Sequence, residues 1–262
     1  MDVKVYIKNK KKIIDKALNK YLPTANTRPR ILHKAMRYAV FPGGKRIRPI
    51  LTIAAFEACK GRAKEILPVA CAMEFIHTYT LIHDDLPCMD NDDSRRGKPT
   101  CHKKFGEDIA LLAGDALLTL AFGILSESDN VKVISEVSEA IGSCGTIGGQ
   151  VADMRQKTDL DYIATHKTGA LFQAAVKSAG IYKGIGPKKL RALEGFGKYL
   201  GFTFQLVDDL LDKDGYVKFY GEAHTKKMAE LLSKRAKSYL DIFGNRAKKL
   251  LDITDLILDR KS

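Results

Sequence analysis

The sequence predicts an all-α protein, a single domain over residues 1–262 built as a large helical bundle. Three observations predict it. Apolar residues recur at helical spacing almost throughout the 262 residues. No run of alternating β-branched residues reads as a strand. No internal repeat or low-complexity linker divides the chain, which is long enough to bury one sizeable core lined by its longest apolar helices.

The elements follow in order. Residues 2–21 read as a basic amphipathic helix with Val5, Ile13, Ile14, Ala17, Leu18 and Tyr21 inward. Pro29 suits the first residue of a second helix, to Val40, because its missing N–H costs nothing there. Phe41-Pro42-Gly43-Gly44 breaks the pattern. An apolar helix then runs from the Lys45–Pro49 segment to Cys59. Residues 64–85 make a long helix that Pro87 must end. Another helix covers 107–126. Asp129 and Asn130 look like the N-cap of the next, from Val131, which Gly142, Gly145, Gly148 and Gly149 loosen. Residues 159–166 read as a polar connection, followed by a helix from Thr168 to Tyr182. Pro187 opens the long helix that reaches Asp212, and two basic helices, 222–243 and 245–259, close the chain.

Composition narrows the function classes. A hydrophobic fraction of 45% excludes wholesale disorder. Five cysteines without a Cys-x-x-Cys pair point to reduced thiols and a cytoplasmic protein, not to a disulfide framework or a zinc site. The start is Lys-rich without the apolar core of a signal peptide. The apolar stretch 66–82 is interrupted by Pro68, Glu74 and His77, so it reads as a buried helix and no membrane span is expected. The net charge of +13 sits largely near the two ends, as on solvated helix faces. No RNA-binding aromatic motif or zinc finger accompanies it, so no nucleic-acid partner is expected.

Two acidic sets carry the chemistry. Asp84, Asp85, Asp90, Asp92 and Asp93 crowd the end of the helix over 64–85, with Arg95 and Arg96 directly after them. Like charges this dense repel unless a cation sits among them. Magnesium is commonly held by one or two carboxylates plus substrate phosphate oxygens, and the arginine fork suits phosphate. The second set lies in Phe204-Gln205-Leu206-Val207-Asp208-Asp209-Leu210-Leu211-Asp212. There Asp208 and Asp212 share a helix face with Gln205 and repel each other unless a cation bridges them. The two sets read as two walls of one metal-lined cavity.

Anion-binding residues accompany them. In Gly43-Gly44-Lys45-Arg46-Ile47-Arg48-Pro49 the glycines let backbone approach an anion, and Lys45 and Arg48 lie at a helix start whose dipole favours negative charge. The spacing is not that of a P-loop. His77 lies two helical turns before Asp84 on the same face and reads either as a core histidine or as a substrate contact. His83 and His102 are ambiguous. Lys167-Thr168 could neutralise phosphate charge or simply start a helix.

These blocks, with His166-Lys167-Thr168-Gly169, resemble in their order the trans-isoprenyl diphosphate synthases (polyprenyl synthetases), most nearly the bacterial farnesyl and geranylgeranyl diphosphate synthases. The resemblance covers residues 30–212. It implies an all-α isoprenoid-synthase fold around a deep central cavity, a homodimer, and head-to-tail prenyl transfer between an allylic diphosphate (dimethylallyl or geranyl) and isopentenyl diphosphate. It implies Mg2+ as cofactor, about three ions shared with substrate diphosphate. It assigns Asp84, Asp85 and Asp90 to the first magnesium motif and Asp208, Asp209 and Asp212 to the second. Arg95, Lys167, Thr168 and Gln205 fall to the allylic diphosphate. Lys45, Arg48, His77 and Arg96 fall to isopentenyl diphosphate. Tyr79, five residues before Asp84 and followed by Thr80, stands where a bulky aromatic limits the growing tail, which favours farnesyl over geranylgeranyl diphosphate as product. One departure follows Asp212, where the family usually continues with a Gly-Lys and an acidic loop. Here Lys213 or Lys218 would have to substitute, and active-site closure is put in question. A terpene cyclase has no use for the second diphosphate site around Lys45. A non-catalytic synthase subunit, or a basic RNA- or membrane-binding helical protein, has no reason to keep both aspartate sets.

Overall fold

Helices occupy nearly every segment where the apolar spacing places them, and glycines or prolines end most of them. The computed structural model describes residues 2–155 and 159–260. By contacts the chain divides into two compact units. One holds residues 4–50 and 67–129. The other holds residues 51–66, the chain from residue 130 and its first residues.

In the first unit, α1 (Val3–Tyr21) buries Tyr6, Ile14 and Leu18. Val5 and Ile13, expected inward, are exposed. The buried positions stand eight and twelve residues after Tyr6, whose ring also carries the Lys10 ammonium 5.1 Å from its centroid. α2 (Arg30–Val40) starts one residue after Pro29, which takes the extended cap position. α3 (Ile47–Ala58) begins in this unit and continues in the other. α4 (Leu67–Asp84) is the core helix, buried on most sides through Val69, Met73, Phe75, Ile76 and Tyr79. It ends at Asp84, shortly before Pro87, whose ring cannot continue the ladder.

Between residues 94 and 99 the chain makes a two-stranded hairpin that the apolar pattern did not announce. β1 (Ser94–Arg95) pairs antiparallel with β2 (Lys98–Pro99) across Arg96 and Gly97, both at positive φ. The short α5 (Cys101–Phe105) leads into α6 (Glu107–Ser126), which packs on α4, α2 and α5. By length and composition α6, and not the 66–82 stretch, is the helix apolar enough to cross a membrane. Ala113, Leu117 and Ala121 are buried in the unit while Leu111 and Leu112 are exposed.

In the second unit, Asn130 caps α7 (Val131–Ile141) by accepting the Val133 N–H. The glycines expected to loosen one helix break it, and α8 (Thr146–Arg155) is a separate helix after residues 142–145. The expected polar connection is helical. α9 (Leu160–Ile163), capped by the Asp159 side chain, runs into a π-helical turn, Ala164–Gly169, and then α10 (Ala170–Lys183). α11 (Pro187–Asp212) opens on Pro187 as expected and packs on α10, the π turn and the helices that follow. Those are α12 (Tyr216–Tyr220), α13 (Glu222–Ser238), a 3-10 segment Asp241–Ala247, and α14 (Lys248–Leu258). Phe196, Leu200 and Leu206 of α11 lie in the core of this unit.

Candidate active site

The first aspartate set sits where α4 ends. Asp84 is half-buried, Asp85 buried and Asp90 exposed. The hairpin folds Arg95 back onto Asp85, ten residues earlier, so that Nε and Nη2 reach the same carboxylate oxygen, Oδ1, at 2.7 and 2.5 Å. Nη2 also reaches Asp92 Oδ2 at 3.2 Å. The Asp90 N–H donates to Asp84 O, and the Thr100 hydroxyl donates to Asp92 O, which closes the loop around the pair. Burial raises the Asp85 carboxyl above its ordinary value, and Arg95 opposes that rise. Burial also works against the charge on Arg95, but the hydrogen bond to Asp85 and the charges of Asp85, Asp92 and Asp84 outweigh it and hold the guanidinium more firmly protonated.

The basic loop separates into a scaffold and a face. Arg46, at φ 51° and buried, donates to Glu74 Oε1 at 2.6 Å, Asp15 Oδ1 at 2.9 Å and Val40 O at 2.7 Å. It fastens the loop to α1, α2 and α4. Lys45 is exposed and Arg48 half-buried on either side of it. Arg96 donates to Gly43 O at 2.7 Å. That approach needs a glycine at 44, where φ is +139° and a β-carbon would stand 2.9 Å from Arg96 Nη1. His77, half-buried on α4, is held well below its ordinary value by burial and by the charges of Arg48, Arg96, Arg95 and Arg46. A neutral imidazole thus stands within reach of the charge of several guanidinium groups, with Lys45 on the same loop as Arg48.

The second set repeats the first in outline. Asp208 is half-buried, Asp209 buried and Asp212 exposed. Gln205, expected to share the Asp208 face, donates instead to Asp209 Oδ1 at 2.8 Å and accepts the Thr168 hydroxyl at 2.7 Å. The Tyr216 N–H donates to Asp209 Oδ2 at 2.9 Å. Burial raises the Asp209 carboxyl; the bonds from Tyr216 and Gln205 oppose this, and the charges of Asp214 and Asp212 add to it. Asp208 takes Arg260 Nη1 at 2.6 Å. Lys167 and Thr168 ride on the π turn, a distortion frequent at functional sites. Lys167 Nζ meets Asp153 Oδ2 of α8 at 2.5 Å. Gly149 permits this, because a β-carbon there would lie 2.1 Å from the Lys167 backbone nitrogen.

Three contributors escaped sequence reading. Arg46 looked like one more basic loop residue. Asp153 had a signal, lying four residues after Gly149, but the glycines read as close helix packing or a kink and pointed to no carboxylate. Arg260 lies 52 residues beyond Asp208, and no spacing rule reaches that far. Of the two lysines that would substitute after Asp212, Lys213 ends α11 at positive φ, exposed, and Lys218 pairs with Asp214 at 2.8 Å on the surface.

The donors suit a hard cation. Among the described residues no three His, Cys, Asp or Glu side chains converge into a ready cage. Each set instead offers solvent-accessible carboxylates beside an arginine, Arg95 in the first and Arg260 in the second, and magnesium commonly takes one or two carboxylates while it keeps waters and shares substrate phosphates.

Residues 29–244 match the polyprenyl synthetase family. The chain belongs to that family of prenyltransferases. It is 40% identical over 290 residues to a geranylgeranyl diphosphate synthase of Cyanophora paradoxa, covering 98% of this chain and 96% of that protein. It is 42% identical over 229 residues to a farnesyl diphosphate synthase of Geobacillus stearothermophilus, covering 82% and 77%. The solved apo structure of an FPP/GFPP synthase from Zymomonas mobilis superposes with a TM-score of 0.93 at 35% identity over 98% of both chains. The alignment with the Cyanophora synthase is longer than this chain's 262 residues, so that relative carries residues this chain lacks.

Proposed function

We propose that this polyprenyl synthetase condenses isopentenyl diphosphate with dimethylallyl or geranyl diphosphate, using magnesium, and releases farnesyl diphosphate. The observation that carries the reading is the shared design of the two Asp-Asp pairs. In each, the second carboxylate is buried and locked, Asp85 by Arg95 and Asp209 by Gln205 and the Tyr216 N–H, while the first and last keep access to solvent. A locked neighbour fixes the direction of Asp84 and Asp208, the residues that would hold the metal with Asp90 and Asp212. We take residues 1–262 to form one functional domain. The family membership and the superposition over 98% of the chain support this.

Magnesium, when bound, supplies Lewis-acid stabilisation to the diphosphate as the allylic C–O bond breaks. The chain's own groups do the rest. Arg95 and Lys167 add positive charge where the leaving diphosphate becomes more negative. Thr168 and Gln205 orient that group by hydrogen bonds. Lys45, Arg48, Arg96 and neutral His77 hold the second diphosphate so that its double bond reaches the allylic carbon. The new C–C bond then forms, and the proton lost from the neighbouring carbon passes to the departing diphosphate. Tyr79, buried on α4 five residues before Asp84, stops the tail, with Thr80 beside it.

Geranylgeranyl diphosphate is the second reading, favoured by the identity to the Cyanophora synthase over nearly its whole length. We further propose a cytoplasmic homodimer, with the exposed Leu111 and Leu112 of α6 in its interface. The test is incubation of the purified protein with magnesium, dimethylallyl diphosphate and labelled isopentenyl diphosphate, followed by sizing of the products. Mainly farnesyl diphosphate is expected. Mainly geranylgeranyl diphosphate establishes the second reading, and no prenyl product overturns both.

A further inference from the structure

Tyr79 does not stand alone on α4. One helical turn on, the His83 ring meets it edge to face, with centroids 5.5 Å apart and planes at 83°. His83, on α4, is itself seated against α6. Its Nε2 lies 3.1 Å from the Leu111 carbonyl oxygen and 3.7 Å from Asp115 Oδ1. The ring fills the place a side chain would take at Gly114, where a β-carbon would fall 2.1 Å from Nε2 and 2.4 Å from Cδ2. A carbonyl, a carboxylate and a missing side chain thus form a socket for this ring.

A tyrosine on a helix has two accessible χ1 wells, and a tail pressing on its ring favours whichever well yields. What opposes the swing is the group packed on the ring's edge. Here that group is an imidazole anchored to a second helix. We propose that His83 is a positioning residue for product length: seated at Gly114, it braces Tyr79 as the stop against the growing prenyl tail. This rests on the proposed role of Tyr79.

The test sizes the products of full-length Tyr79→Ala, His83→Ala, His83→Gln and Gly114→Ala, with magnesium and both diphosphates, and records thermal stability alongside. The two His83 variants remove the ring, and Gly114→Ala pushes it from its socket. Each is expected to raise the ratio of longer to shorter product by about five-fold with Tyr79 intact, the range of one edge-to-face ring contact. His83→Ala added to Tyr79→Ala should lengthen the product no further, because brace and stop act as one unit. If Tyr79→Ala lengthens the product while every folded variant of His83 and Gly114 keeps the wild-type ratio, the brace is overturned, whatever the change in stability. If Tyr79→Ala leaves the ratio unchanged, the reading of Tyr79 fails first and the brace falls with it.

Discussion

The two aspartate sets differ in what holds their buried carboxylate. At the end of α4, Asp85 meets a guanidinium, and Arg95 in turn reaches Asp92. Near the end of α11, Asp209 meets, among the described residues, neutral donors alone, an amide of Gln205 and the Tyr216 N–H. The charged partner in that region goes to the accessible Asp208 instead, through Arg260. The difference teaches that one motif can be organised in two electrostatic ways. In the first, the cation compensates a buried charge. In the second, the cation lies on a face proposed for metal, so binding there must displace or share it.

The largest effect should come from the accessible carboxylates. Asp84→Asn and Asp208→Asn should each lower kcat about a thousand-fold or more in steady-state assays at saturating magnesium, the scale of losing direct stabilisation of a developing charge. A variant that keeps near-normal turnover would break the equivalence of the two sets. Next, the partners should differ in stability. Arg95→Ala leaves a buried carboxylate uncompensated and should cost about 3 kcal/mol in urea unfolding without substrate, while Gln205→Ala removes one neutral hydrogen bond and should cost about 1 kcal/mol. Equal costs would show that the charge on Arg95 does not matter to the fold.

The smallest effect is a pH dependence. Burial holds the Asp209 carboxyl above its ordinary value of 3.8, so the folded chain takes up that proton at a higher pH than the unfolded chain. The stability this group contributes is therefore greatest below the ordinary value and declines as pH rises through the raised one. Asparagine does not titrate. The stability difference between wild type and Asp209→Asn should shift toward the variant from about pH 4 to about pH 7, followed by urea unfolding at each pH. A difference that is flat, or that moves toward wild type, would remove the desolvated carboxylate from the account.

Much of the site was legible because its residues are neighbours in sequence. Asp84 with Asp85, Arg95 with Arg96, and Asp208 with Asp212 fall within a few residues, and the periodicity of α4, α6 and α11 shows the helices that carry them. The hairpin over 94–99 was not legible, because a two-residue strand has too few side chains to alternate. The π turn was hidden because its residues also suit a polar loop. On α1 the pattern favoured Val5 over Tyr6, since a lone apolar residue among lysines says nothing of which neighbour the core can reach.

From sequence alone came the all-α class, the ends of the helices that begin at Pro187 or stop before Pro87, and which residue types suit a metal and a diphosphate. Those depend on local geometry and composition, which a chain carries wherever it folds. The tertiary structure alone settled which aspartate of each pair is buried, that Arg46 braces the loop while the charge of Arg48 bears on His77, and that Arg260 answers Asp208. Burial and long-range pairing depend on what packs against a residue, and that partner lies tens or hundreds of positions away, where no spacing rule applies.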